Sequence, residues 1–244
     1  MEWLERTLLL IGDEAIAALA NAHVLVVGLG GVGAYAAEMI CRAGVGELTI
    51  ADGDAVHPTN INRQLPALHS TVGRPKAECL AERLRDINPS LKLHVLSDYL
   101  HGEAMQQLLQ CPYSYVVDAI DTLAPKLTLI RYAMEQRHRL VSAMGAGGRV
   151  NPELVRIDDI DQSHGCPLAR MLRKRLHRLG IRTGFKVVYS NEEVPPTAMR
   201  PCFDEPNKKT VLGTVSYMPP LFGCMMASVV VRDLIDNQNN TKIL

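Results

Sequence analysis

The sequence contains no pair of cysteines separated by only two residues. Its six cysteines are scattered along the chain, at positions 41, 79, 111, 166, 202 and 224. This spacing argues against a four-cysteine zinc site, which needs closely spaced pairs of ligands. Scattered thiols are typical of reduced proteins, so we expect a cytoplasmic location.

Long apolar runs and a net charge are also lacking. No stretch approaches about 18 uninterrupted apolar residues, and the first residues lack the basic start, apolar core and cleavage site of a signal peptide. We therefore expect no stable membrane insertion. The 26 lysines and arginines balance the 26 aspartates and glutamates. The charge of the whole chain thus predicts no attraction to nucleic acid, and any such site must be a local patch.

The chain is organised around residues 23–64. An apolar run at 23–27 breaks into a glycine turn, a helical pattern follows to Cys41, and a second apolar run at 48–51 ends on Asp52. Glycines let the backbone approach a phosphate at the helix N-terminus, and the acid accepts hydrogen bonds from a ribose. The sequence therefore predicts an α/β, Rossmann-like, mainly parallel sheet with helices on both faces and a C-terminal extension. The turn contributes four nucleotide-binding candidates: Gly28, Gly30, Gly31 and Gly33.

Cationic residues beyond Asp52 indicate which nucleotide binds. Arg63 and Lys76 follow in the same part of the chain. The two phosphates of a nicotinamide dinucleotide are already served by the glycine turn, whereas ATP carries more charge, which must be neutralised as pyrophosphate leaves. The pattern favours ATP over NAD.

Several motifs together resemble the ubiquitin-activating-enzyme superfamily, whose bacterial members adenylate a carboxylate with ATP. They are the glycine turn, Asp52 with Asp54, Asn60 with Arg63 and Gln64, residues 72–76, and residues 118–121. Within the superfamily, residues 118–126, 145–148 and 213–223 are most similar to the tRNA threonylcarbamoyladenosine dehydratases. The resemblance covers nearly the whole chain and is weakest at 163–193.

The resemblance implies roles for individual residues. An N-terminal arginine, here Arg6, reaches the nucleotide phosphates across a homodimer interface, and Asp121 holds Mg²⁺. The implied catalytic residues are Arg6, Arg63, Lys76 and Asp121. The implied nucleotide-binding residues add Asn60 and Gln64 to the glycines, Asp52, Arg63, Lys76 and Asp121.

Plainer interpretations of these residues stay open. Arg6 is equally compatible with a solvated charge on an amphipathic helix over residues 5–20, which Gly12 interrupts. Asp118 could cap the following helix. Lys126 could contact phosphate or solvent, and Arg149, beside the glycines at 145–148, is a further candidate for binding an anion.

A basic segment suggests contact with tRNA. Residues 166–182 contain no acid, and on a helix their leucines line one face while the basic groups lie mostly opposite. A solvated surface is the usual explanation of such a helix, but the resemblance favours contact with a nucleic-acid backbone. The candidate nucleic-acid-binding residues are Arg170, Arg173, Lys174, Arg175 and Arg178.

We expect residues 1–244 to form a single ATP-binding adenylating domain, in which 163–213 is a less regular insertion with a basic helix and a proline-rich loop. Cys202 lies in that loop without an evident base beside it, which argues against a catalytic thiol. A strand at 214–218 and an apolar helix at 221–235 should follow. The helix could pack in the core or at a dimer interface.

The function implied by the resemblance is ATP-dependent cyclisation of threonylcarbamoyladenosine in tRNA through an acyl-adenylate, with ATP and Mg²⁺ as cofactors. The alternative is adenylation of the C-terminus of a small ubiquitin-like sulfur-carrier protein, which the missing cysteine pairs disfavour. A partner in sulfur relay is also compatible with the family. A third reading, an NAD-dependent oxidoreductase, leaves Arg63 and Lys76 unexplained. A non-catalytic nucleotide sensor would not need Asp121 or Arg6.

Overall fold

In the computed structural model, residues 2–201 and 210–236 are described. Seven strands form one sheet in the order β3-β2-β1-β4-β5-β7-β6. All neighbouring strands are parallel except β6, which runs antiparallel to β7 at the edge. The strands are β1 (His23–Val27), β2 (Glu47–Ala51), β3 (Lys92–Leu96), β4 (Tyr115–Asp118), β5 (Leu140–Ala143), β6 (Val155–Asp159) and β7 (Lys186–Ser190).

Helices cover both faces of this sheet, as the sequence predicts. They are α1 (Glu5–Ala20), α2 (Gly33–Arg42), α3 (Lys76–Ile87), α4 (Gly102–Leu108), α5 (Leu123–Glu135), α6 (Pro167–Arg178) and α7 (Met218–Asp236). One core cluster joins α1, α2, α3 and α7 to the first face, and a second joins α4, α5 and α6 to the other. Parallel strands covered on both faces read as continuous apolar runs, which is why β1 and β4 are recognisable in the sequence. The predicted fold class is confirmed.

Helix α1 is interrupted where the sequence predicts it. Gly12 has φ +83°, a conformation that L side chains rarely adopt, and the two helical parts meet there. Only Ala15 and Leu19 of α1 are buried. Leu9 and Leu10 are 80% and 83% exposed, so part of the apolar pattern in this helix faces away from the chain's own core.

Helix α7 confirms the predicted apolar helix, and it packs mainly against α2. A Cβ atom added at Gly223 would lie 2.4 Å from the carbonyl oxygen of Val32, so the two helices meet backbone to backbone. By length and composition α7 could also cross a membrane, but 56% of its apolar window is buried inside the protein. The burial identifies it as a core helix.

The predicted strand at 214–218 is wrong. The chain reaches α7 through residues 213–217 without strand pairing, and Met218 already belongs to the helix. Pro219 and Pro220 fit the first turn of a helix, where backbone N–H groups have no partner within the helix. The nearby strand is instead β9 (Thr210–Leu212), which pairs with β8 (Met199–Pro201) in a separate two-stranded sheet.

The segment 163–213 is more regular than expected. It contains α6, β8, β9 and also β7, which lies inside the main sheet between β5 and β6. Its basic helix is present at α6. Cys202 lies outside the described residues.

Candidate nucleotide site

The glycine turn joins β1 to α2 at the carboxyl edge of the sheet. Gly28 has φ +87°, and its N–H donates to the carbonyl of Ala51 at 2.8 Å. A Cβ atom at Gly33 would lie 1.7 Å from the carbonyl oxygen of Gly28, so no other residue fits there. These two glycines are required by the fold itself, because they let the turn close tightly.

The two middle glycines differ from each other. A Cβ at Gly31 would lie 2.9 Å from the Cβ of Pro219, the second residue of α7. At Gly30 the nearest atom is the Nε2 of Gln64 at 3.6 Å, an ordinary contact. The fold therefore leaves room for a methyl group at Gly30.

Asp52 follows β2, and its carboxylate accepts a hydrogen bond from the glycine turn. One of its carboxylate oxygens, Oδ2, accepts the N–H of Leu29 at 2.5 Å, and Oδ1 accepts the N–H of Asp54 at 2.8 Å. Burial raises the pKa of Asp52, and the nearby charge of Lys76 opposes this shift. The acid therefore lies beside the glycine turn.

Lys76 begins α3 and is held next to Asp52. Its Nζ lies 2.7 Å from Oδ2 of Asp54, and its side chain is 6% exposed. Tyr99 donates its hydroxyl to Oδ1 of Asp54 at 2.6 Å, and this hydrogen bond, with burial, raises the pKa of Tyr99 to about 12. Sequence reasoning missed Tyr99. The signal available was its place just beyond β3, at the same edge of the sheet.

The loop between β2 and α3 supplies the other predicted residues. Asn60 accepts the N–H of His57 at 3.0 Å and so caps a short 3₁₀ helix. Arg63 donates to the carbonyl of Thr59 at 2.9 Å, and its backbone lies beside Gly31. Gln64 is buried against Gly30, and its Oε1 has no hydrogen-bond partner among the described residues. Arg63 and Gln64 thus border the glycine turn, whereas the Asn60 side chain is hydrogen-bonded within its own loop.

The end of β4 carries two acids in different environments. Asp118 is fully buried, and its Oδ2 lies 2.6 Å from Nζ of Lys126 and accepts the hydroxyl of Ser142 at 2.6 Å. Lys126 is also fully buried, so the interpretation of it as a solvated charge is wrong, and its ammonium is paired inside the protein. Asp121 is exposed, two residues beyond Ala119, which contacts Gly28 and Gly33.

Two further arginines, Arg149 and Arg6, were candidates for binding an anion. Arg149 is almost completely buried and donates Nη1 to the carbonyls of Gly145 and Gly147, while its Nε and Nη2 have no partner among the described residues. Arg6 is exposed in the first turn of α1, and the neighbouring Leu4 packs on Gly44, beyond the C-terminal end of α2. The ten residues of α2 span about 15 Å, so within one chain Arg6 lies at the far end from the glycine turn.

Four of the five predicted nucleic-acid residues are exposed on α6. Arg170, Lys174 and Arg178 recur every four residues and form one row along the helix, which we call the basic row; Arg175 lies beside it. Arg173 differs, because its guanidinium donates to the carbonyl and hydroxyl of Ser163. A Cβ at Gly165, just before α6, would lie 2.8 Å from Asn191, which follows β7. The basic row therefore begins at the carboxyl edge of the sheet, the edge that carries the glycine turn.

Fold and site together define a nucleotide-binding α/β protein. A glycine turn, a helix N-terminus and a buried acid meet at the carboxyl ends of parallel strands, where such folds bind ligands. Lysine and arginine side chains stand on the same side.

The chain belongs to the ThiF family, whose sequence pattern matches residues 4–243. It is 35% identical to the tRNA threonylcarbamoyladenosine dehydratase of Escherichia coli, over 96% of this chain and 94% of that protein. It is 36% identical to the enzyme of the same name from Bacillus subtilis, over 94% and 93% of the two chains. The family resemblance inferred from the motifs is confirmed.

The same relation holds in three dimensions. A crystal structure of the Escherichia coli dehydratase in complex with ATP superposes with a TM-score of 0.88 at 34% identity, covering 99% of this chain and 97% of that one. The sulfur carrier protein ThiS adenylyltransferase of Escherichia coli is 34% identical, but the match covers only 54% of this chain and 53% of that protein. The similarity to the dehydratases therefore extends through both halves of the chain.

Proposed function

We propose that this protein uses ATP to adenylate the carboxylate of threonylcarbamoyladenosine in tRNA and promotes its cyclisation. The observation that carries the proposal is the end-to-end agreement with an ATP-bound dehydratase, together with a glycine turn that leaves space at Gly30. The Escherichia coli and Bacillus subtilis dehydratases match over almost their full length, which includes α6 and the glycines at 145–148.

The chemistry follows from the groups at the carboxyl edge. A carboxylate oxygen of the substrate attacks the α-phosphorus of ATP, and the bond to pyrophosphate breaks. A nitrogen or oxygen of the same modified base then attacks the acyl-adenylate, so that a ring closes and AMP leaves. The substrate has lost one water in total. The attacking group is already tethered, which makes its effective concentration high, so no protein nucleophile is needed.

Each predicted residue has a task in this scheme. The amides of the glycine turn and the N-terminus of α2 bind phosphate oxygens, and Asp52 accepts hydrogen bonds from the ribose. Arg63 and Lys76 neutralise the charge that develops on pyrophosphate. Lys76 would exchange Asp54 for a phosphate oxygen, while Asn60 and Gln64 line the loop beside them.

Asp121, just beyond the end of β4, is suited to bind Mg²⁺. Mg²⁺ prefers oxygen ligands and commonly combines one or two carboxylates with substrate phosphates. Asp121 is exposed at the nucleotide edge, where its carboxylate can face bound phosphates, whereas Asp118 is fully buried. Bound there, the ion would withdraw charge from the phosphates.

A homodimer would complete the site. Arg6 lies two residues after Leu4, which packs beyond the end of α2 that is remote from the glycine turn, and this position favours contact with the phosphates of a second copy. The exposed Leu8, Leu9 and Leu10 next to it form an apolar surface of the kind that protein interfaces cover. Mixing an Arg6→Ala chain with an inactive Asp121→Ala chain should restore part of the activity, because one site in the mixed dimer keeps both residues.

The basic row supplies a site for the tRNA backbone at the same edge of the sheet. With ATP and tRNA as reactants and unpaired cysteines among the described residues, we expect the reaction in the cytoplasm. A sulfur-relay partner stays a prediction, and the carrier-protein alternative is disfavoured because its relative matches only half of this chain.

Nucleoside mass spectrometry tests the function directly. Purified protein, ATP and Mg²⁺ are incubated with tRNA that carries threonylcarbamoyladenosine, and the digest should show that nucleoside lighter by one water, only when ATP is present. Arg63→Ala serves as the matched inactive protein. An unchanged nucleoside, with intact modified tRNA and an active nucleotide site in ATP–pyrophosphate exchange, would contradict the proposal and favour a carrier-protein substrate.

A further inference from the structure

A polar cluster lies at the amino edge of the sheet, opposite the nucleotide site. His23 and Glu47 are the first residues of β1 and β2 and are paired in register, and His94 lies on β3 opposite Thr49. His23 is separated from the glycine turn by the length of β1, about 13 Å. None of these residues takes part in the nucleotide chemistry, so the cluster needs its own explanation.

Strand alternation puts these side chains on one face. Leu25, two residues after His23, belongs to the core cluster that contains α4 and α5. Leu48 and Ile50 alternate with Glu47 on β2 and belong to the opposite core cluster. The polar side chains thus point toward the α4 and α5 side at the end of the sheet, where they are partly exposed.

The atoms that face one another are metal-ligand atoms. Nδ1 of His23 lies 3.5 Å and Nε2 of His94 lies 2.8 Å from the same carboxylate oxygen of Glu47, and one ligand atom from each residue lies within 4.8 Å of the others. A tetrahedral ion with ligands at about 2.0–2.1 Å separates neighbouring ligand atoms by about 3.3 Å. The two measured distances lie on either side of that value.

One ligand is already oriented by an outer hydrogen bond. Nε2 of His23 lies 2.8 Å from the hydroxyl of Thr49, which leaves Nδ1 turned toward Glu47. The ring of Tyr113 packs edge-on against His23 at 4.7 Å between centroids. A polar partner on the second nitrogen is the usual companion of a metal-binding histidine, because it fixes the ring and its tautomer.

We propose that His23, Glu47 and His94 bind a divalent first-row transition-metal ion, with Zn²⁺ as the ion best suited to the donor set. Two imidazoles and a carboxylate suit such ions and leave a fourth position for water, because His94 is nearly half exposed. The bound ion would join β1, β2 and β3 at their amino ends. It would stabilise the folded chain without contacting ATP.

Lys92 competes with a metal ion for the Glu47 carboxylate. Its Nζ lies 2.9 Å from the same oxygen of Glu47, but its side chain is 67% exposed and can swing into solvent. In the absence of metal the ammonium compensates the Glu47 carboxylate. Replacing Lys92 by glutamine should therefore strengthen metal binding, whereas a simple ion-pair cluster would only be weakened by that change.

Isothermal titration of the full, tag-free chain with Zn²⁺ tests the site. The wild type should bind one equivalent, His94→Ala should bind at least tenfold more weakly, and Thr49→Val should lose on the order of tenfold through the outer hydrogen bond. The matched control is His69→Ala, since His69 is an exposed histidine outside the cluster. It should bind as the wild type does.

Two further readings keep the test decisive. The melting temperature of the wild type should rise with Zn²⁺, and that of His94→Ala should not. With Mg²⁺ present and no Zn²⁺ added, ATP-dependent pyrophosphate release by His94→Ala should equal that of the wild type, which shows that the variant is folded. If the wild type takes up no equivalent of Zn²⁺, or if His94→Ala binds it as tightly, the cluster is an ion-pair network and the proposal is wrong.

Discussion

The buried pair of Asp118 and Lys126 offers a sharp test, because a phosphate-binding lysine and a structural lysine predict opposite results. Both side chains are fully buried and lie 2.6 Å apart, and Ser142 lies 3.1 Å from the ammonium. Lys126→Met keeps a similar length and removes the charge. It leaves the Asp118 carboxylate buried with the hydrogen bonds from Ser142 and the N–H of Ile120.

The expected loss is large. Removing one partner of a buried ion pair destabilises by about 3–5 kcal/mol, since the remaining charge stays out of water. With a urea slope of about 3 kcal/mol per M, the unfolding midpoint of Lys126→Met should fall by roughly 1–2 M, which circular dichroism measures. The double variant Asp118→Asn with Lys126→Met should recover part of the loss because no charge remains unpaired. A normal midpoint for Lys126→Met combined with lost ATP binding would refute this reasoning and return Lys126 to the phosphates.

Four other predictions concern the nucleotide and tRNA sites. Gly30→Ala should fold normally but bind ATP weakly, whereas Gly33→Ala should not fold. Circular dichroism measures the folding and equilibrium dialysis measures the ATP binding. Normal ATP binding by Gly30→Ala would show that the ligand does not approach that position. Arg63→Ala and Asp121→Ala should each slow pyrophosphate release about a hundredfold with unchanged melting temperature; wild-type turnover in either would exclude that residue. Because burial raises the pKa of Asp52, its carboxylate is protonated on acidification at a higher pH than an ordinary aspartate. The ATP affinity of the wild type should fall as the pH is lowered through that range. The ATP affinity of Asp52→Asn should be weak and should not change with pH there. Replacing Arg170, Lys174 and Arg178 by glutamine should reduce the salt slope of tRNA binding by about 2 to 3; an unchanged slope would make the basic row a plain solvated surface.

The first half of the sheet was predictable because its strands are apolar on both sides. The runs that became β1, β2 and β4 have no competing interpretation, and the glycine turn fixed the order of the elements between β1 and β2. The helix at α7 was equally clear from its apolar content. These features depend on local pattern, which a single sequence displays.

The second half was less accessible for physical reasons. Strand β6 lies at the sheet edge and carries Arg156, Asp158 and Asp159, so it has the polar composition that edge strands use and lacks a core signal. Strand β7 is a short run between a basic helix and polar loops, and nothing in the sequence says that it inserts between β5 and β6. That order is set by long-range pairing.

The candidate site was likewise predictable only in part from the sequence. The glycines, Asp52 and the loop with Arg63 and Gln64 are brought together, and their roles in catalysis stay predictions. The partners of each charge could not be read from the sequence. Lys126 finds Asp118 eight residues away inside the core, Lys76 finds Asp54, and Tyr99 joins them from beyond β3, because each of these contacts depends on which strands become neighbours.

The contact between the glycine turn and α7 has a consequence for how the protein is made. Gly31 lies against Pro219, and Gly223 lies against Val32, so the glycine turn near the start of the chain is supported by a helix near its end. A ribosome adds about 5–20 residues per second, so roughly 10–40 s separate the synthesis of the two partners. During that interval β1, β2 and α2 have emerged without the surface that finally covers α2. We therefore expect the nascent chain to acquire ATP binding late and in a single step, when α7 leaves the ribosome.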